Sequence, residues 1–298
     1  MPKLPLSPFK VYSTVNEVRD QSEGSVKLLI AGSDSEAMAA VKSALAAGSD
    51  PRVEGSILET VQLGEDEPLR DSLLRNSEGV LILIASPAEL SSEVFNNRLA
   101  DAGKNDLPVV VVLTEAPGIE LSFPGVGPSR VVGMAPGSLV PADLLVAAVV
   151  DAAGDTAVAM SAKLPALRDE TCRVIIKRTA RQNAVVGALF IIPGADMPVM
   201  TMNEARMVFR IAAAHGESVG TERALELLGV VGSGFGLRAI ARQLVDFIPG
   251  PGWVIKSGIA WSGTRALGKT ATTYFNGSVR VTPSRLAPLA DRLKKLRG

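Results

Sequence analysis

Residues 79–85 read GVLILIA and residues 107–114 read LPVVVVLT. Both are short, nearly continuous runs of aliphatic and β-branched residues without polar alternation. Such runs fit strands covered on both faces, as in a parallel sheet, where neither side of the strand meets water. Residues 86–102 between them have room for the crossover helix that a parallel connection needs. Working outward, residues 25–31 (SVKLLIA) form a third apolar run that ends at Gly32, and the SDSEAMAAVKSALAA that follows has helical composition until the turn at 48–51. Residues 57–63 give another strand candidate before a polar GEDEP turn, residues 129–134 a last one, and PADLLVAAVVDAA at 141–153 a closing helix. Strands alternating with helices predict a doubly wound, mostly parallel α/β domain over residues 25–154.

Beyond Lys163 the texture turns helical, so residues 155–298 are expected to form a second, all-helical domain. Residues 1–24 carry Pro2, Pro5 and Pro8, then Glu17, Asp20 and Glu23, and are expected as a flexible tail rather than a signal segment. The chain has 31 basic and 31 acidic side chains, yet residues 1–154 hold 11 basic and 21 acidic ones, leaving 20 and 10 for residues 155–298. The neutral sum hides halves of −10 and +10. One cysteine, Cys172, excludes an intramolecular disulfide and a thiolate metal cluster, and points to a reducing, cytoplasmic compartment. One histidine, His215, removes most histidine-based metal and acid/base sites. The longest charge-free stretch considered for a membrane span, residues 182–195, is too short to cross, although a mean hydropathy of +0.25 keeps membrane contact open.

The strand, Gly32 and helix at the start of the sheet resemble the phosphate-binding region of a Ras-like or Era-like GTPase. The chemistry is missing. A phosphate loop needs GxxxxGK[ST], so that backbone N–H groups wrap the phosphates, a lysine reaches the terminal ones and a hydroxyl holds magnesium. Counted from Gly32, this chain has Ala37, Met38 and Ala39 at those three places. Ser33, Asp34, Ser35 and Glu36 instead fit a helix cap, with carboxylates at the positive end of the helix dipole. GTP is therefore unsupported at residues 32–39, and no cofactor is expected there. A Gly- and Pro-rich loop at 116–128 holds Leu121 and Phe123, which either anchor a partner or tuck back onto the sheet.

In the basic half, Arg173, Lys177 and Arg181 stand at i, i+4 and i+8, a stripe suited either to water or to an anionic surface, with Cys172, Val174 and Ile175 expected on the other side. Val208, Ile211, Ala212 and His215 share one helix face, and His215 is expected to end that helix before Gly216. Residues 237–245 repeat as an amphipathic helix behind a weak Gly232/Gly236 helix-contact pattern. A final helix sets leucines against Arg292, Lys294, Lys295 and Arg297, the pattern an anionic membrane attracts. One literal phosphate-loop match exists, Gly263, Gly268, Lys269 and Thr270 in GTRALGKT, but only 28 residues follow it, too few for the remaining strands of a nucleotide-binding sheet. The alternative is glycines at helix contacts and a lysine reaching solvent.

Several segments of the basic half are similar to the YcjF-like bacterial family known as domain of unknown function 697, often found behind Era-like GTPase domains. They are IPGADMP around Pro193, Asp196 and Pro198; the helix from Arg206 to His215 and Gly216; FIPGPG around Pro249 and Gly252; and the run from Ala266 through Gly268 to Tyr274. His215 departs from the aromatic usual at its place. The resemblance implies a GTPase-coupled, membrane-associated helical module with no catalytic residues to carry over. The function expected is a non-enzymatic regulatory or scaffold role. In that expectation a degenerate GTPase-like domain is fused to a helical domain, peripheral at the inner membrane through an anionic lipid surface or a membrane protein. Two alternatives are a nucleotide hydrolase using Gly263 to Thr270, and a soluble protein whose acidic and basic domains dock on each other, in one chain or in a self-associated pair. Aromatic residues at 4% argue against nucleic acid.

Overall fold

The computed structural model describes residues 8–24, 26–64, 67–70, 73, 79–116, 118, 120–135, 140–189, 197–217 and 252–277. The chain divides into two compact units, one of residues 8–175 and 213–221, the other of residues 1–7, 176–212 and 222–298.

The first unit is built on five strands, β1 (Lys27–Gly32), β2 (Leu58–Gln62), β3 (Gly79–Ala85), β4 (Val109–Leu113) and β5 (Val131–Gly133). They lie in the order β2-β1-β3-β4-β5 with every pairing parallel. The apolar runs that predict covered strands are covered. Leu28, Ile30, Val80, Ile82, Val110 and Val112 project to one face, and Leu29, Leu81, Leu83, Val109, Val111 and Leu113 to the other, all nearly inaccessible. The first face packs on α2 (Ser35–Ala46), α5 (Ala142–Ala153) and α6 (Ala157–Lys163). Against the second lies α4 (Glu93–Lys104), through Phe95, Leu99 and Ala102. A short α3 (Pro51–Ile57) leads into β2.

Two boundaries differ from the expectation. The segment expected as a tail contains α1 (Pro8–Glu23), in which Val15 and Val18 are buried at 2% and 0% exposure against the region of α6. Two valines three residues apart give this polar helix a buried edge, a signal too sparse to outweigh its prolines. The boundary expected at 154/155 is also displaced. Ala157, Ala159, Met160, Leu164 and Leu167 belong to the same apolar cluster as the sheet, so the α/β unit extends to residue 175. The division then falls inside the 22-residue α7 (Arg168–Leu189).

The second unit is helical where described: residues 176–189 of α7, α8 (Met197–Ala214, of which residues 213 and 214 count with the first unit) and α9 (Gly252–Phe275). On α7, Ile176, Ala180 and Asn183 are buried while Lys177, Arg181 and Val185 are exposed, the alternation that a 3.6-residue turn imposes on a helix with one covered face. On α9, Ala260, Thr264, Leu267 and Ala271 are buried at the same period. A Cβ on Gly268 would run into the Ile176 side chain, 2.9 Å from Cδ1, so the glycine allows α7 and α9 to approach closely.

Among the described residues one segment, Ala142–Lys163, is long and apolar enough to cross a membrane by length and composition, with a mean hydropathy of 1.6, but 61% of its apolar stretch is buried. The segment is broken at Gly154, whose φ of 56° ends α5, and its side chains fill the sheet core.

Candidate functional site

In an open parallel sheet with this strand order, ligands enter at the carboxyl ends of β1 and β3, where the chain reverses its direction of winding. That crevice is already furnished with the protein's own anions. The Asp34 carboxylate accepts from the N–H groups of Glu36 and Ala37 at 3.0 Å each, taking the free donors at the start of α2. Across the crevice, Glu89 accepts from the Ser86 N–H at 2.6 Å and from the Ser33 hydroxyl at 3.3 Å. The Gln62 amide donates to the Ser33 carbonyl at 2.6 Å. The donors that would hold a phosphate therefore hold carboxylates. Gly32 has a separate reason to be glycine: a Cβ there would stand 2.9 Å from both the Cβ and the carbonyl oxygen of Ile84. It serves the packing of β1 on β3 rather than a phosphate.

The literal phosphate-loop match lies inside a helix. Gly263, Gly268, Lys269 and Thr270 all belong to α9, where backbone N–H groups are directed to carbonyls four residues earlier and cannot wrap a ligand. Gly268 is the contact with Ile176, Lys269 is exposed, and the Thr270 hydroxyl donates to the Ala266 carbonyl at 2.9 Å. The four positions are therefore helical, and Gly268 stands at a helix contact.

The helical unit keeps a buried polar layer at mid-helix. Asn183 of α7 donates to the Thr264 hydroxyl at 3.0 Å, Thr264 donates to Glu204 at 2.9 Å, and Asn203 donates to the Asn183 side-chain Oδ1 at 2.9 Å. Asn183 and Thr264 are fully buried and Glu204 is 3% exposed. Sequence reasoning missed this layer, because its four residues are spread over three helices and none is a defining position of a local motif. Spacing alone could have flagged Thr264, which stands on the apolar stripe of α9.

Among the described residues the surface of that unit is of one sign. Within residues 176–189, 197–212 and 252–277 the only carboxylate is the buried Glu204, while Lys177, Arg178, Arg181, Arg265 and Lys269 are exposed. Among the described residues Lys177, Arg181, Arg265 and Lys269 have no carboxylate partner. Arg265 instead lies over the Trp261 ring, 4.5 Å from its centroid, and that ring is 41% exposed. Val185 and Leu189, at the end of α7, are 57% and 71% exposed. Of the expected stripe, Arg173 is occupied by a two-point pair with Glu170, which raises its pKa further. Val174 stands on the exposed side rather than with the buried Cys172 and Ile175. Counted over the observed units, the helical one holds 18 basic and 6 acidic residues and the sheet unit 13 and 25, so the division widens from ±10 to ±12.

The remaining expected positions distribute as follows. Gly216 follows the end of α8 with φ of 78°, its N–H donating to the Ala213 carbonyl at 2.9 Å, so His215 is a helix-end residue as expected. Tyr274 packs edge-on to Phe275 at 5.1 Å. Pro198 and Gly252 fall in the first turns of α8 and α9. Pro193, Asp196, Pro249, Arg292, Lys294, Lys295, Arg297 and the helices expected over 237–245 and the C-terminal segment lie outside the described residues. In the α/β unit, Leu121 and Phe123 pack back toward the sheet, Phe123 meeting Phe95 edge-on at 5.3 Å. They line no exposed anchor.

Two further residues carry weight that no local pattern announces. Arg98, 1% exposed, donates to the carbonyls of Gly64 and Glu67 at 2.7 to 3.0 Å and so ties down the chain after β2. Beside it, a pocket of about 420 Å³ is lined by Thr60, Gln62, Glu67 and Arg70 at the edge of the sheet. The Gly64 N–H, then Arg70, hold the Glu67 carboxyl below the ordinary glutamate value. Among the described residues no group of histidine, cysteine or carboxylates is arranged to hold a metal.

No curated protein and no solved structure matches the chain. One family model does, and it falls in the C-terminal half of the chain: residues 152–279 match the family described as Domain of unknown function (DUF697).

Proposed function

We propose that this is a non-enzymatic regulatory or scaffold protein in which a degenerate GTPase-like α/β unit accompanies a helical unit that binds an anionic membrane surface, the inner face of a bacterial cytoplasmic membrane. One observation carries the reading: the described surface of the helical unit offers unpaired cations and exposed apolar side chains, and its only carboxylate is buried. An unpaired cation near an anionic bilayer contributes about 1 kcal/mol. Filling of the β1/β3 crevice by Asp34 and Glu89 supports the absence of nucleotide turnover.

The test is co-sedimentation of the full chain with vesicles of phosphatidylcholine alone or mixed with phosphatidylglycerol. Binding is expected only to the mixed vesicles and is expected to fall as salt shortens the screening length. Equal recovery with both vesicle types, or none with either, would sink the membrane reading. GTP hydrolysis above a protein-free blank would sink the non-enzymatic one. The ±12 separation also supports a second reading, self-association of oppositely charged units; it predicts a sedimentation coefficient that rises with protein concentration and falls with salt in the absence of lipid.

A further inference from the structure

We propose that α9 is the helix that lies in the lipid headgroup layer, with Trp261 as its interfacial anchor and Arg265 and Lys269 as its phosphate-binding cations. This rests on the membrane reading above and says which face makes the contact.

Trp261, Arg265 and Lys269 stand four residues apart, so a helix of 3.6 residues per turn aligns them along one exposed edge. The opposite face, Ala260, Thr264, Leu267 and Ala271, is the buried one. No Asp or Glu occurs anywhere in α9. Stacking on the ring holds the Arg265 guanidinium along the helix rather than folded onto a carboxylate. A large ring with a polar N–H left 41% exposed is poorly served by bulk water and well served by a boundary that is apolar on one side and wet on the other. Gly258, Ser262 and Ala266 between the long side chains keep the edge low, suiting a flat surface rather than a ligand that needs a concavity. Charge complementarity selects the occupant: the edge carries two unpaired cations, and lipid phosphates are anions displayed at the depth where tryptophan resides.

The experiment uses the full chain carrying Trp253→Phe, which leaves Trp261 as the only tryptophan of the two. It is mixed with phosphatidylcholine/phosphatidylglycerol vesicles whose acyl chains are brominated near the glycerol end. The expected result is a blue shift and quenching of Trp261 emission, absent with phosphatidylcholine alone. Arg265→Ala and Lys269→Ala are each expected to weaken vesicle partitioning by about fivefold, the equivalent of about 1 kcal/mol per cation. If Trp253→Phe disturbs folding, Trp261→Phe gives the converse measurement, with the lipid-dependent signal lost. Sedimentation with the vesicles while Trp261 emission stays unshifted and unquenched would overturn this inference and leave the membrane reading intact. No sedimentation at all would overturn both. Trp261 emission that responds to polyglutamate or single-stranded DNA but is not quenched by the brominated lipid would overturn the lipid assignment.

Discussion

The two units treat charge in opposite ways. In the sheet unit carboxylates are spent on the backbone: Asp34 caps α2, Asp50 caps α3 and Glu89 holds the turn after β3. In the helical unit the one described carboxylate is buried between helices, and among the described residues Lys177, Arg181, Arg265 and Lys269 are exposed without carboxylate partners. An internally satisfied charge fixes local structure and has little to offer a ligand. An exposed, unpaired one contributes little to stability and is free to meet a partner. The sheet unit is thus the self-contained member of the pair and the helical unit the one equipped for contact.

The largest expected effect probes the self-contained side. Leu83→Ala in β3, buried on the α4 face, is expected to cost the α/β unit about 2–5 kcal/mol in denaturant unfolding. A cost under about 1 kcal/mol would mean that the sheet is not the rigid partner of the comparison. Next comes the polar layer of the helical unit. Thr264→Val keeps the shape but removes the hydroxyl that accepts from Asn183 and donates to Glu204, and a loss of about 1–3 kcal/mol is expected from two buried groups left unsatisfied. Thermal unfolding of the full chain should place that loss in a transition distinct from the one Leu83→Ala shifts; a common shift would erase the distinction between units.

A smaller effect is expected at the crevice. Asp34→Ala removes the cap of α2 and should cost about 1 kcal/mol. It should not create GTP binding in calorimetry, since the lysine and hydroxyl of a phosphate loop are still missing; a measurable heat would show that the carboxylate alone had closed the site. The smallest effect is a titration. Glu67 has its pKa lowered in the folded state, so its contribution is fully present above the ordinary glutamate value and is lost as pH falls through the folded one. Its carboxyl resonance should therefore titrate below the ordinary glutamate value, and Arg70→Ala should move the midpoint upward.

The sheet was legible because each of its strands declares itself locally: a run such as GVLILIA has no polar side to place in water. Strand β3 falls on the expected residues, and β4 and β5 fall inside the expected ranges. Helix α1 was not legible, since its buried edge rests on a few side chains in a polar, proline-flanked segment. Nor was the extension of the α/β unit to residue 175, because alanines and a methionine at 157–160 suit a bundle as well as a sheet face. Among the site residues, Asp34 was legible as a cap from its place before a helix. The bond from Ser33 to Glu89 and those made by Arg98 and Glu204 act over 31 to 60 residues of sequence separation, a distance at which no periodicity reports a contact.

Gly32 and Gly268 are the two glycines that a search for phosphate loops would seize on, and each is required by a steric notch, at Ile84 and at Ile176. Letter patterns weigh glycine heavily because it is taken to mark a backbone open to a ligand. Here it marks the reverse, places where two elements of the protein leave no room even for a methyl group. For this chain the one literal match takes its second glycine from a helix contact, and Gly32, whose loop fails the pattern, is glycine for the same reason of close packing.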